Sequence, residues 1–377
     1  MKKEKIKVLH VAEAAGGVDR YLKTLFKYLD RKNIETFFIC SQNYNVNEYK
    51  DLTDWLIQIK MKHDIQLNAD FQAVKRIRKI IRNIKPDIIY AHSSKAGALA
   101  RLAAIGIPCK MIYNPHGWAF NMRCSKRKQW LYKMIERIQI PFTDKVVCIS
   151  EAEKKDALDN RICKESNLQV IYNAIDLEEV DNAVPIEKLD LNIPRDAFVI
   201  GFVGRITECK APDIFVTVAK YIKEKIPKAY FLMVGDSIDE EMESKRKTLD
   251  LIRKYDLEKY VQITGWVDNP IAYMKIMNVG MLISRWEGFG LVIPEYMAAG
   301  IPIVATQAGA IPDLIEDKQN GLLVEVDNVQ EIANAVLQIY QDIDLREKII
   351  YNSKQHVKNL FGASRLSRET EQLFVDI

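Results

Sequence analysis

GMLISRWEGFGLVIPEYMAAGIPIVAT, residues 280–306, decides the fold: an apolar run, a glycine-rich turn, a helical stretch and a second apolar run. The first run ends as a predicted strand at Ser284. Glu287 follows in a turn where Gly288 and Gly290 let backbone amides come close to a ligand. A helix containing Glu295 begins near Gly290, and Gly300 closes it before the next strand. Strand, turn, helix and strand at this spacing make one parallel α/β unit. Two carboxylates eight residues apart can be surface charge on a loop and helix. Against that stands their place at a strand end, where α/β sheets bind ligands and carboxylates accept hydrogen bonds from hydroxyl-rich groups.

The same pattern extends outward along the chain. KVLHVA, FFIC, DIIYAH, KMIYN and KVVCIS recur in the first half, and FVIGFVG, YFLMVGD, VQITG, VGMLIS and IPIVAT in the second, with amphipathic helical segments between them. Two successive parallel α/β domains follow. Residues 181–196, with Pro185 and Pro194 among polar residues, interrupt the pattern as an exposed linker would. The expected organisation is therefore a first domain over 1–180, a linker over 181–196 and a second domain over 197–355. A final helical segment, 356–377, is expected to return to the first domain. A chain of 377 residues has room for two such lobes and a cleft.

Composition narrows the class. Apolar residues make up 48% and charged residues 28%, which excludes long disordered tracts. The six cysteines form no C-x-x-C pair and lie near no histidine at ligand spacing, so they read as ordinary cytosolic thiols. The N-terminal apolar run is broken by His10 and Glu13, too short for a secretory h-region and better read as a first strand. No stretch has the length of a membrane span. The net charge of +4 divides into +11 over residues 1–180 and −7 over the remainder, which directs the first domain toward an anionic partner.

Three further places carry candidate chemistry. Gly16-Gly17, between the first strand and a helix, is open to two readings: a tight turn, or backbone amides that approach a phosphate. In FVGRITECKAPDIFVTVAKYI (202–222), Arg205 and Lys210 precede a helix with Pro212 near its first position. They are either solvated loop cations or a pair suited to a diphosphate. His116, in a Pro-His-Gly turn, reads alone as a satisfied loop histidine or as a catalytic one. Asp342-x-Asp344 has metal-binding spacing but lies in a helical polar stretch, so no metal is expected there. FQAVKRIRKIIRNIK sets Phe71, Val74, Ile77, Ile81 and Ile84 on one face and Lys75, Arg76, Lys79 and Arg82 mostly opposite. A core-packed helix with a solvated basic face is one reading and contact with a membrane surface the other. A second basic cluster, Arg123, Lys126, Arg127, Lys128, Lys133 and Arg137 near Trp118, Phe120 and Trp130, favours the interfacial reading.

The pairing of Glu287 and Glu295 in E-G-F-G-x-x-x-x-E, with G-R-x-x-x-x-K upstream and the Gly-Gly turn, resembles glycosyltransferase family 4 over almost the whole chain. SSKAGALARLAAIGIP and NPHGWAF are similar to its bacterial capsule, exopolysaccharide and O-antigen branch. The resemblance implies a GT-B fold, two Rossmann-like doubly wound parallel-sheet domains facing a cleft, and a retaining hexosyltransferase that needs no cofactor or metal. It implies that Arg205 and Lys210, with amides around Gly16, Gly17, Phe289, Gly290 and Leu291, hold the donor diphosphate. Glu295 would bind the ribose, Trp266 and Val267 the nucleobase, and Glu287 the transferred sugar, with His116 beside the sugar and the acceptor phosphate. The implied partners are a nucleotide-sugar donor, UDP-linked by family frequency, a lipid-linked saccharide acceptor and the inner, cytoplasmic face of an anionic membrane. Ala211 and Ala310 depart from the family pattern, which commonly has glycine at both. An epimerase of the same architecture would share the donor site but lack the paired glutamates. A basic nucleic-acid-binding protein would show exposed sheet aromatics or a helix-turn-helix, and the chain has neither signature, so no nucleic acid is expected.

Overall fold

A computed structural model describes residues 5–62, 64–122, 124–238 and 242–377. The chain forms two compact units, Met1–Ala174 with Ala363–Ile377, and Ile175–Gly362. Each is built on one parallel sheet.

The first unit has seven strands: β1 (Ile6–Ala12), β2 (Ile34–Cys40), β3 (Trp55–Gln58), β4 (Ile88–His92), β5 (Lys110–Asn114), β6 (Lys145–Cys148) and β7 (Leu168–Val170). Their spatial order is β3-β2-β1-β4-β5-β6-β7. Residues alternate faces along β1, so Val8 and Ala12 join one apolar cluster while Leu9 and Val11 join another. The second cluster is covered by the helices Leu67–Ile84 and Ser94–Ala104. The first is covered by Gly17–Tyr28, which buries Val18, Tyr21, Leu22, Leu25 and Phe26 at helical spacing, and by Ala363–Asp376. This last helix supplies Leu366, Leu373 and Phe374 to the core, and its Ser367 hydroxyl donates to Tyr28 O at 2.8 Å.

The second unit has six strands: β8 (Phe198–Val203), β9 (Ala229–Val234), β10 (Val261–Ile263), β11 (Val279–Leu282), β12 (Ile303–Thr306) and β13 (Leu322–Val324). They lie in the order β10-β9-β8-β11-β12-β13, the dinucleotide-fold order in which the sequence of strands reverses beside the first. In each sheet that reversal falls between the first and fourth strands, β1/β4 and β8/β11.

Three strands escape the sequence reading, β3, β7 and β13, each three or four residues long at or beside a sheet edge. The expected linker is placed differently. Residues 181–196 belong to the second unit, where Ile186 N–H donates to Ala272 O at 3.2 Å and Lys275 Nζ donates to Ala183 O at 2.6 Å. The prolines and polar residues there make a surface strap held by backbone carbonyls. The C-terminal return begins at Ala363, because the helix Ile343–Leu360 stays in the second unit and Ile175 N–H donates to Phe361 O at 2.8 Å.

Other expectations are corrected by packing. Phe71 is exposed, whereas Ala73, Ile77, Ile80 and Ile81 form the buried face of its helix. Trp118 and Phe120 are core residues, so only Trp130 of the three aromatics is at the surface. Arg123 lies outside the described residues. Asp342 is a helix cap, its carboxylate accepting Leu345 N–H at 2.9 Å.

Candidate active site

In the first unit, β1 leads through Glu13 into the turn at Gly16, whose φ of +77° suits glycine and caps the helix Gly17–Tyr28. A Cβ on Gly16 or Gly17 would meet nothing within 4 Å, so this turn leaves open space over the helix N-terminus. His116 follows β5 in a turn with φ +52°, and Gly117 has φ +105°. Two contacts fix that turn: His116 N–H donates to Asn114 Oδ1 at 3.0 Å, and Gly117 N–H donates to Glu153 Oε1 at 2.6 Å. Glu153 also accepts Ile149 N–H at 2.6 Å, and burial pushes its pKa up to about 7.

His116 does not stand alone. His92, at the end of β4, places Nδ1 3.1 Å from His116 Nε2, and its own Nε2 lies 3.1 Å from Nδ1 of His10 on β1. His10 and His92 are fully buried, while His116 keeps some exposure with the Tyr21 ring edge-on at 4.7 Å. Burial lowers the pKa of His10 and of His116 to about 3 and holds that of His92 well below the ordinary value, so all three imidazoles are neutral at pH 7. The sequence reading does not count His10 or His92 among the site residues. Their one signal was a histidine within each of two strands, and only the adjacency of β1 and β4 makes it meaningful.

In the second unit, Lys210 sits in the turn Glu208–Lys210 after β8, ahead of the helix Pro212–Lys225. Its Nζ forms an ion pair with Glu287 Oε2, which also accepts the Ser284 hydroxyl at 3.2 Å. Ser284 is held in turn by the Thr306 hydroxyl, 2.6 Å from its carbonyl. A Cβ at Gly309 would lie 1.8 Å from Glu287 O, so the loop after β12 closes on Glu287 only because that residue is glycine. The structure thus joins Lys210 and Glu287, which the sequence reading gave to different parts of the donor. Arg205 is exposed in the same loop; Phe289, Gly290 and Glu295 are buried and Leu291 is half-buried where the helix Val292–Ala299 begins. Trp266 is 60% exposed and Val267 half-buried beyond β10, where Gly235 N–H donates to Gly265 O at 3.1 Å.

Arg285 organises these loops and was not foreseen. Its guanidinium forks onto Asp213 at 3.0 and 2.6 Å, reaches Asp327 through Nε at 2.8 Å and donates to Glu208 O at 3.0 Å. Its N–H donates to Cys209 O at 2.8 Å, so the two loops that present Lys210 and Glu287 are tied to each other. The departures from the family pattern are unequal. Ala211 is buried in the left-handed region at φ +53°, ψ +51°, whereas Ala310 sits at φ −85° without strain.

Two doubly wound parallel sheets, the second with cations and carboxylates gathered at its strand reversal, are the build of the GT-B glycosyltransferase fold. The family models agree: glycosyltransferase family 4 matches residues 15–179 and glycosyl transferases group 1 matches residues 185–356. The chain belongs to glycosyltransferase family 4. It is 26% identical over 386 residues to the UDP-Gal:alpha-D-GlcNAc-diphosphoundecaprenol alpha-1,3-galactosyltransferase of Escherichia coli, covering 99% of this chain and 97% of that one. It is 30% identical to an uncharacterized 41.2 kDa protein in the cps region of Klebsiella pneumoniae, over 96% of each chain. The Anabaena HepE protein, solved in complex with UDP, has the same fold at 19% identity, with a TM-score of 0.84 over 99% of this chain and 100% of that one.

Proposed function

We propose that the enzyme transfers a sugar from a UDP-linked donor to a polyprenyl-diphosphate-linked saccharide in bacterial surface polysaccharide biosynthesis, with retention of configuration. The observation that carries this reading is the Lys210–Glu287 pair at the β8/β11 reversal. Its two charges have different natural partners in a nucleotide sugar. The diphosphate takes Lys210 and Arg205, and a sugar hydroxyl takes Glu287. The names of the Escherichia coli and Klebsiella relatives support the acceptor and the pathway.

In this reading the bond from the anomeric carbon to the phosphate oxygen breaks as the acceptor hydroxyl attacks the same face. The bonding electrons leave with the diphosphate, and the hydroxyl proton passes to a departing phosphate oxygen. Negative charge grows on that group, and Lys210, Arg205 and the amides near Gly290 stabilise it, so a divalent cation has no part to play. Glu295 holds the ribose, Trp266 and Val267 the base, and the Gly16-Gly17 amides face the phosphates. His116, neutral, orients the sugar. The test is transfer in excess chelator with the product anomer read by NMR: full activity and a retained anomer support the mechanism, and rescue by a divalent ion or an inverted anomer defeats it.

The acceptor's lipid requires a membrane, and no helix among the described residues is long and apolar enough to cross one. Attachment is through the helix Lys126–Gln139, where Trp130, Leu131 and Ile138 are exposed beside Lys126, Arg127, Lys128, Lys133 and Arg137. We infer that the enzyme works at the cytoplasmic face of the cell membrane. Binding to anionic vesicles that fades at high salt supports it; equal binding to neutral vesicles removes the electrostatic part.

A further inference from the structure

We propose that His10 and His92 set the tautomer of His116, so that its Nδ1 carries the proton and acts as an uncharged hydrogen-bond donor. The inference rests on the reading that His116 faces the sugar.

The geometry leaves few choices. A neutral imidazole has one N–H and one lone pair, on different nitrogens. The links are His10 Nδ1 to His92 Nε2 and His92 Nδ1 to His116 Nε2, both 3.1 Å. Each link needs one proton, so the three rings must adopt the same tautomer. If all carry Nε2–H, His116 donates to His92 and His92 to His10, leaving an N–H at His10 Nε2. If all carry Nδ1–H, the direction reverses, and the surplus proton appears on His116 Nδ1.

The buried end decides between them. His10 Nε2 has no hydrogen-bond partner among the described residues and lies in a pocket with Phe26, Tyr90 and Phe374. His10 Nε2 buries either an N–H or a bare lone pair there, and orphaned N–H groups are the rarer of the two in protein interiors. The ring of Phe26, edge-on at 4.7 Å, is at most a weak partner for it. The all-Nδ1–H arrangement avoids the orphaned donor and sends the proton to the one ring of the three that retains exposure.

The same arrangement limits what the chain can do. A proton leaving His116 could be replaced along the chain of rings only through His10 Nε2, and no donor among the described residues reaches that atom. The histidines therefore orient a dipole and do not conduct protons. His10 and His92 are positioning residues, 82 positions apart in the sequence and joined by the β1–β4 pairing.

The test uses histidine labelled with nitrogen-15 in the full chain, with two-bond proton–nitrogen correlations to read each tautomer. Wild type should show three neutral Nδ1–H rings. His10→Asp sets a carboxylate oxygen where Nδ1 stood, so His92 and His116 should both switch to Nε2–H. Turnover should fall about tenfold, the value of one hydrogen bond, with UDP affinity unchanged. If that variant does not fold, His92→Leu removes the Nε2 partner of His116, whose signals should then average the two tautomers. An Nε2–H ring at His10 or His116 in wild type, or a pure Nδ1–H His116 in both variants, would overturn the proposal. A switched tautomer with full turnover would instead dismiss His116 from the transfer step and leave the tautomer chain standing.

Discussion

The two units carry their chemistry at the same topological place and by opposite means. At the β8/β11 reversal the side chains are charged: Lys210 with Glu287, and Arg285 with Asp213 and Asp327. At the β1/β4 reversal the linked groups are polar but neutral, three imidazoles joined ring to ring beside Tyr21 and Tyr90, whose hydroxyls lie 3.1 Å apart, and the buried carboxylate at that strand end is Glu13. On the proposed function, one fold position serves two tasks. Charge suits a diphosphate whose negative charge must be held and then increased, and neutral donors suit hydroxyls that must be oriented without competing for it.

The contrast can be broken most severely at Glu287. Glu287→Ala should lower turnover by about 10²–10³, the typical loss for one transition-state contact. Free UDP, which lacks the sugar, should bind as before. Lost nucleotide binding, measured by calorimetry, would move Glu287 from the sugar to the diphosphate.

The neutral site should announce itself in acid. His10 and His116 have folded pKa values of about 3 against 6.5 in the unfolded chain, and that of His92 is also lowered by burial. Between those values the unfolded state binds more protons, so their contribution is complete above pH 6.5 and is lost as pH falls toward 3, by about 1.4 kcal/mol per unit for each independent group. Glu153 runs the other way. Its pKa rises from 4.5 to about 7, so its contribution is complete below 4.5 and declines up to 7. With three groups against one, stability to urea should fall from pH 6.5 to pH 5. A flat or rising profile would mean that the imidazoles charge inside the fold.

A smaller effect is expected at Arg205, exposed in the loop that carries Lys210. Arg205→Ala should weaken UDP affinity about tenfold, the value of one charge-assisted hydrogen bond. Unchanged affinity would leave Lys210 and the backbone amides to hold the diphosphate. Smallest of all is Ala211→Gly. Relief of the left-handed backbone is worth about 1–2 kcal/mol. The lost methyl, about 0.8 kcal/mol, and the added chain entropy oppose it, so the shift in stability should stay within about 1 kcal/mol.

The charged site was largely legible in the sequence and the neutral one was not. Arg205, Lys210, Glu287 and Glu295 lie in two local segments, each a strand, a turn and a helix whose periodicity can be read directly. Ten of the strands follow from apolar runs, whereas β3, β7 and β13 are too short to show one. His10 is read locally as an interruption of an apolar run, and His92 as the end of another. Their meaning depends on which strands become neighbours. Arg285 was hidden differently: it stands two residues from Glu287, but its partners at 208, 213 and 327 lie on other turns. The strap over 181–196 was misplaced because proline-rich polar sequence looks the same on a surface as in a linker.

The helix Ala363–Asp376 gives the chain an unusual birth order. Phe374 packs near His10 and Tyr90, and Glu371 accepts the Asp30 N–H at 2.8 Å, so the core around the histidines is finished by residues translated after the entire second unit. Domains usually complete folding from the N-terminus as they leave the ribosome. Here the second unit has every residue of its core in hand first. The earlier-made half must wait, with one face of its sheet covered only in part by the helix Gly17–Tyr28, for some 190 further residues to be synthesised. The interval is about ten seconds at the fastest rates of synthesis and about forty at the slowest.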